Sequence, residues 1–358
     1  MQTALTFDDV QIIPQYSEII SRNTVTLASQ FTRHYTLTLP FVASPMPDVC
    51  ETEMAIAMWR AGGVGVIHRF NTIDEQCQMV TDVITQVRIE SPAYSKRYAR
   101  PVIAAAIGVT DDYLERAAEL VRCGVNVLMI DVAHGHHINV RRALDNLRTI
   151  STLYTTNDHV DIIAGTVATN EGAADIRNWG ADAIRVGVGG GSACETRIRT
   201  GVGIPQLQAL LDVDDGMGIP ILSDGGIRYP GDVAKAIAAG ANTVMIGNLF
   251  AGTDEAPGSD LITGRWPDHR IKRIYKGAAS ATQKLNHTGA ATYVEGATKI
   301  IDARGPVQSI IDSLQDGLRS SLSYVGVDNI EEFQMYAQFI GITPAGIAEA
   351  HPHMLLQS

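Results

Sequence analysis

The sequence predicts an α/β protein of the closed (β/α)8 barrel class, a TIM barrel in one domain. Three observations carry that prediction. Eight short apolar runs rich in Val, Ile and Ala recur along the chain, as expected of strands buried on both faces. Segments with helical periodicity stand between them, so strand and helix alternate. The spacing is even over 358 residues, with no Ser/Gly linker and no long charge block. A doubly wound open sheet is the competitor, but it rarely needs eight such regular units.

In chain order the predicted strands are residues 40–46, 63–68, 102–107, 127–132, 161–166, 183–188, 219–224 and 243–248. Between the third and fourth, Thr110 reads as an N-cap, an apolar stripe follows, and Gly124 stops the helix. Residues 92–101 form a short loop before the third strand. Beyond Ala251 the repeat ends. Pro306 stands at the first turn of a helix predicted over 307–323, and residues 335–357 read as packing on the outside of the barrel. The whole chain, 1–358, is thus one barrel with an N-terminal extension and a C-terminal helical tail.

Charge and composition narrow the function. Lys and Arg number 28 against 39 Asp and Glu, a net charge of −11, with 45% apolar and 19% charged residues. That is a globular composition, not a disordered one. An acidic chain with no basic tract is a poor partner for nucleic acid or a membrane surface. No run of 18 apolar residues offers a spanning helix, and the first residues lack a secretory signal. The four cysteines show no paired spacing, which argues against a disulfide framework or zinc ribbon. A reduced, cytoplasmic protein is expected.

In a TIM barrel the active site lies at the C-terminal ends of the strands. Ser44, His68 and Arg69, Asp131, residues 189–196, Ser223 to Gly226, and Gly247 with Asn248 all fall there. Glycines after the seventh and eighth strands suit a phosphate held by backbone N–H groups. Cys194 follows the sixth strand in a Gly-rich loop, where a thiol can be exposed and activated. Cys77 and Cys123 read as packing residues, and Cys50 is left open. Histidines 134, 136 and 137 are adjacent in one loop without a carboxylate at metal-site spacing. Asp131 ends a buried strand and needs a partner, either a ribose hydroxyl or a structural hydrogen bond. No GxGxxG motif follows a strand, so a Rossmann module is not expected.

Six motifs, Leu5-Thr-Phe-Asp-Asp-Val10, Gly62-Gly-Val-Gly-Val-Ile-His68, Ser192-Ala-Cys-Glu-Thr-Arg197, Ser223-Asp-Gly-Gly-Ile-Arg228, Val244-Met-Ile-Gly247 and Gly317-Leu-Arg-Ser-Ser321, occur in order along nearly the whole chain. Together they resemble the IMP dehydrogenase and GMP reductase family. Most such dehydrogenases carry CBS modules between the second helix and the third strand, where only residues 89–100 stand here. They also use a long flap with an Arg-Tyr pair to hydrolyse a covalent intermediate. Residues 280–305 are short, contain no such pair, and are similar to the compact segment of GMP reductases. The opening motif, residues 130–136 and the 341–353 tail look more like the dehydrogenases.

The resemblance therefore implies NADPH-dependent deamination of GMP to IMP and ammonia through a cysteine-linked intermediate. The alternatives are a minimal NAD-dependent IMP dehydrogenase making XMP, a member acting on a modified purine nucleotide, or a nucleotide-binding regulator that keeps the fold. It implies Cys194 as nucleophile at purine C2, with Thr196 and Glu295 handling protons on the leaving ammonia. It also implies that Ser192, Gly226, Gly247, Asn248, Tyr275 and Gly277 hold the nucleotide, Asp224 its ribose. Asp131 and Arg69 match the cofactor side. Carbonyls at Gly189, Gly191 and Cys194 match a K+ site, and relatives imply a homotetramer. This chain departs from the family at Pro47 in Met46-Pro47-Asp48, and at Glu195, Asn248 and Ala278.

Overall fold

The computed structural model describes residues 3–91, 101–153, 159–213, 215–264, 270–277, 279–280 and 294–350. Eight parallel strands close into a barrel, β1 (Phe41–Ala43), β2 (Val64–Ile67), β3 (Ala104–Ile107), β4 (Val127–Ile130), β5 (Asp161–Val167), β6 (Ala183–Val186), β7 (Ile221–Asp224) and β8 (Thr243–Ile246), with β8 pairing back onto β1. Every one lies within or one residue past a predicted run. Helices α1 (Thr52–Ala61), α2 (Ile73–Glu90), α3 (Tyr113–Cys123), α4 (Ile138–Leu153), α5 (Asn170–Asn178), α6 (Gln206–Asp212), α7 (Pro230–Ala238) and α8 (Val307–Val325) surround it. The fold is the (β/α)8 barrel that the alternating pattern predicts.

The strands alternate their side chains between two cores. Val42, Val66, Ala104, Ala106, Met129, Ile163, Leu222 and Met245 fill the barrel interior, where Phe31 and Leu37 of a two-stranded hairpin (Ser29–Gln30 with Thr36–Leu37) plug the bottom. Phe41, Ile67, Ile107, Ile130, Ile162 and Ile246 face the helices. Alternation with both faces covered is why these strands read as unbroken apolar runs. The plugged end is sealed by ion pairs, His34 to Asp161 at 2.7 Å and Arg33 and Arg148 to Asp182 at 3.2 and 2.8 Å. Chemistry is left to the other end.

Three details differ from the sequence-based expectation. Helix α3 begins at Tyr113, three residues past Thr110, because Asp111 takes a φ of +58° that no helix can include. Pro306 occupies the N-cap of α8, not its first turn, and the helix runs to Val325 before Gly326 ends it at φ +82°. Residues 261–302 hold an antiparallel sheet, β9 (Leu261–Thr263), β10 (Arg270–Lys276) and β11 (Thr298–Asp302), which the repeat pattern did not announce. The extension and the tail meet, since Val10–Ile12 pairs antiparallel with Phe339–Gly341. No helix among the described residues is long and apolar enough to cross a membrane.

Candidate active site

Strand β6 delivers the thiol loop. Gly187 and Gly189 turn the chain at φ +140° and +71°. A Cβ on Gly187 would collide with the Asp224 carbonyl and the Gln206 side chain, so only glycine fits there. Arg197 braces the loop from inside, donating from Nε and Nη2 to the Val188 carbonyl at 3.1 and 2.9 Å. On the far side the loop is zipped to residues 295–297. Glu195 N donates to the Glu295 carbonyl at 2.7 Å and Ala297 N to the Ala193 carbonyl at 2.8 Å.

That zipper brings residues a hundred positions apart into one line. Thr196 Oγ1 donates to Glu295 Oε2 at 2.7 Å, and the Cys194 sulfur lies 3.1 Å from Thr196 Oγ1. The hydroxyl hydrogen is committed to the carboxylate, so the thiol is the donor toward Thr196. Cys194 is exposed, while Cys50 is buried and Cys77 and Cys123 are half-buried. Burial pushes the Cys50 thiol far above its ordinary range, and Cys77 and Cys123 pack against the core. The resemblance-based trio of Cys194, Thr196 and Glu295 is thus contiguous.

Beside the loop a cavity of about 310 Å³ opens at the barrel mouth. Ser192, Asp224, Gly226, Gly247, Asn248 and Tyr275 all line it. Gly277 does not. It lies behind the thiol loop, where an added Cβ would stand 2.8 Å from the Ala193 carbonyl. Tyr275 is 3% exposed, and burial pushes its phenol up to about 12, with the Ser192 hydroxyl opposing that shift. Gly247 leaves room for it, because a Cβ there would meet the Tyr275 oxygen at 3.3 Å.

Two of the departures from the family pattern, Asn248 and Glu195, have local partners, as does Asp48 beside Pro47. Asn248 receives Arg304, which donates to its backbone carbonyl and, at 3.3 Å, to its Oδ1. Asp48 accepts Lys276 N at 2.7 Å and faces Lys276 Nζ at 3.7 Å. Burial raises its carboxyl above the usual range while Lys276 pulls it back. Glu195 pairs with Arg199 one helical turn on, at 2.9 Å. Ala278 and residues 281–293, most of the expected short flap, lie outside the described residues.

Opposite the phosphate-type glycines stands a charged row. Arg185 of β6 donates from Nε to Asp224 Oδ2 at 2.9 Å and from Nη1 to Asp131 Oδ1 at 3.0 Å. Asp131 in turn faces Arg69 Nε at 3.5 Å. Burial alone would lower the Arg185 pKa, but the two carboxylates outweigh it and hold the guanidinium well above its ordinary value. Sequence reading missed Arg185, although a lone cation in the apolar strand Ala-Ile-Arg-Val is costly enough to signal a purpose. It also assigned no role to Thr6, Phe7 and Asp8, which wall the cavity and are tied down by Asp8–Arg228 at 2.5 Å and by Lys235 Nζ donating to the Phe7 carbonyl at 2.8 Å. Of the loop histidines, His136 pairs with Asp175 at 2.8 Å. Among the described residues the one gathering of metal-ligand type, His34 with Asp161 and Asp182, sits at the plugged end and excludes them.

A closed barrel with a glycine-lined cavity and a thiol loop at its mouth defines a (β/α)8-barrel enzyme. Residues 4–353 match the model of the IMP dehydrogenase / GMP reductase domain. The chain belongs to this family and is an oxidoreductase. It is 34% identical to inosine-5'-monophosphate dehydrogenase of Nitrosopumilus maritimus, over 98% of each chain. It is 32% identical to GMP reductase of Leishmania major, over 98% of this chain and 96% of the relative. Among solved structures it is similar to a cysteine-to-alanine variant of GMP reductase from Trypanosoma brucei in complex with guanosine 5'-monophosphate, with a TM-score of 0.88, 30% identity and 99% of both chains covered.

Proposed function

We propose that this protein reduces GMP to IMP and ammonia with NADPH. The observation that carries the reading is the unbroken line from the Cys194 sulfur through Thr196 to the Glu295 carboxylate. In this reading the GMP base sits over Cys194 with its phosphate among Ser192, Gly226, Gly247, Asn248 and Tyr275 and its ribose on Asp224. The thiol gives up its proton through Thr196 toward Glu295, and the thiolate forms a bond to purine C2. Glu295 and Thr196 return a proton to the exocyclic nitrogen, the C2–N bond breaks, and ammonia departs. Splitting the substitution into two steps around a covalent intermediate lowers each barrier. A dinucleotide held beside Asp131 and Arg69 would supply the hydride, two electrons and a hydrogen, that C2 requires; the C–S bond would then break and Cys194 recover its thiolate.

Residues present suit that cofactor. Arg69 stands beside Asp131, its Nε 3.5 Å from Asp131 Oδ2, and the pair offers both a cation and a carboxylate to the polar groups of a dinucleotide. Uncharged carbonyl oxygens at Gly189, Gly191 and Cys194 are the donor chemistry of an alkali cation, and K+ there would stiffen the thiol loop. A homotetramer in the cytoplasm belongs to the same reading.

IMP oxidation by NAD is the second reading, favoured by the similarity to the Nitrosopumilus dehydrogenase. Following cofactor absorbance with GMP plus NADPH against IMP plus NAD separates the two. Faster consumption of GMP is expected; XMP formed at a comparable or higher rate would overturn the proposal. If neither nucleotide reacts, Pro47, Glu195, Asn248 and Ala278 direct the test to modified purine nucleotides.

A further inference from the structure

Four charged side chains from four separate segments alternate in sign across the barrel mouth. Asp224 ends β7, Arg185 lies in β6, Asp131 follows β4, and Arg69 follows β2. Arg185 is the centre. Its side chain is 9% exposed, and Nε and Nη2 both reach Asp224 Oδ2, at 2.9 and 2.8 Å, while Nη1 reaches Asp131 Oδ1 at 3.0 Å. Asp131 Oδ2 faces Arg69 at 3.5 Å. No described residue donates to Asp224 Oδ1, so that oxygen keeps its lone pairs for a hydroxyl.

A guanidinium is planar and rigid, so a fork that satisfies two carboxylates at once fixes both. If Asp224 swings, Arg185 must tilt and Asp131 loses its bond. We infer that Arg185 is a positioning residue that ties the nucleotide half of the site to the cofactor half, so that each ligand finds its carboxylate preset by the same side chain. This inference rests on the reading of Asp224 as the ribose ligand and Asp131 as a cofactor-side group. Arg185 itself lies outside the residues that line the nucleotide cavity.

The test is binding, measured by calorimetry with GMP and with NADP+, and with IMP and NAD+ in parallel, so turnover is not required. Arg185→Gln is expected to weaken nucleotide and dinucleotide alike, each by about fivefold or more, the scale of lost charge-assisted contacts. Coupling through one group is non-additive. Added to Asp224→Asn it should therefore cost no further nucleotide affinity, and added to Asp131→Asn no further dinucleotide affinity. A merely structural loss would add in both backgrounds. Arg185→Lys keeps the charge but not the fork, so it should restore one ligand and not both, and it carries the test if the Gln variant does not fold. Either ligand left within about twofold of wild type by Arg185→Gln, additive losses, or Lys restoring both ligands would overturn the inference. Wild-type protein that binds both ligands yet oxidises IMP rejects the proposed direction of reaction and leaves the Arg185 result standing; wild type that binds no purine nucleotide overturns both.

Discussion

Thr196 has one hydroxyl hydrogen and Glu295 takes it, which leaves the Cys194 thiol pointing its own proton into a two-member relay. Glu295→Gln keeps the shape and, on the proposed reading, removes the base. Turnover should fall by roughly 10²- to 10⁴-fold, the usual contribution of a positioned proton-transfer group, while the nucleotide dissociation constant stays nearly unchanged. Steady-state rates beside calorimetry check this, and an affinity loss as large as the rate loss would refute it. Cys194→Ala should abolish turnover with the thermal transition unmoved, because the side chain is exposed; Cys77→Ala and Cys123→Ala should keep activity. Asp224→Ala should weaken nucleotide binding by about 1.5–3 kcal/mol, the range for hydrogen bonds to a charged group. At this scale Cys194 and Asp224 were legible because each sits at a glycine-punctuated strand end, whereas Thr196, Glu295 and Tyr275 were legible only through the resemblance of their motifs. Arg185 was not, since its meaning depends on two carboxylates 54 and 39 positions away that only barrel closure brings near.

Elements turn those residues into a site. The thiol loop is held by backbone pairing to residues 295–297, and Gly277, just past β10, packs where a Cβ would meet the Ala193 carbonyl at 2.8 Å and Gly296 Cα at 3.1 Å. Backbone atoms cannot rotate aside, so Gly277→Ala should shift the loop. Turnover should drop by about tenfold or more, since small misplacements of a reacting group are costly, with a smaller effect on melting temperature. A variant as active as wild type would show the loop is not held there. The eight barrel strands were legible because burial on both faces writes itself as apolar runs. Sheet β9–β11 was not. Arg-Ile-Lys-Arg-Ile-Tyr-Lys breaks the strict alternation of a half-buried strand, and Ile274 and Ile300 stand exposed at 40% and 60%.

Over the whole molecule, pH acts on stability from both sides. Tyr275 is held neutral with its pKa raised from 10.0 to about 12 by burial. The unfolded chain therefore loses that proton first, and the contribution, complete below pH 10, fades as the pH rises toward 12. Tyr275→Phe should flatten this alkaline limb in pH-dependent melting; an unchanged limb would exclude Tyr275 as its source. On the acid side Glu90, lowered from 4.5 to about 2 by Arg60 and Gln86, contributes above its unfolded value and is lost as the pH falls through about 2.

The pairing of Val10–Ile12 with Phe339–Gly341 has a temporal meaning as well. The adjoining residues Thr6 to Asp8 wall the cavity, and Ile342 N closes onto the Asp9 carbonyl at 2.9 Å. A ribosome adds about 5–20 residues per second, so the opening strand waits on the order of tens of seconds for its partner to be made. Until then the nascent barrel can close its eight strands while the cavity wall at Thr6 to Asp8 is held from the barrel side, by Gln208, Arg228 and Lys235, without the added clasp. A chain that stops short of Phe339 should hold its barrel yet bind nucleotide more weakly, and limited proteolysis should cut it ahead of Phe41, where the intact protein resists.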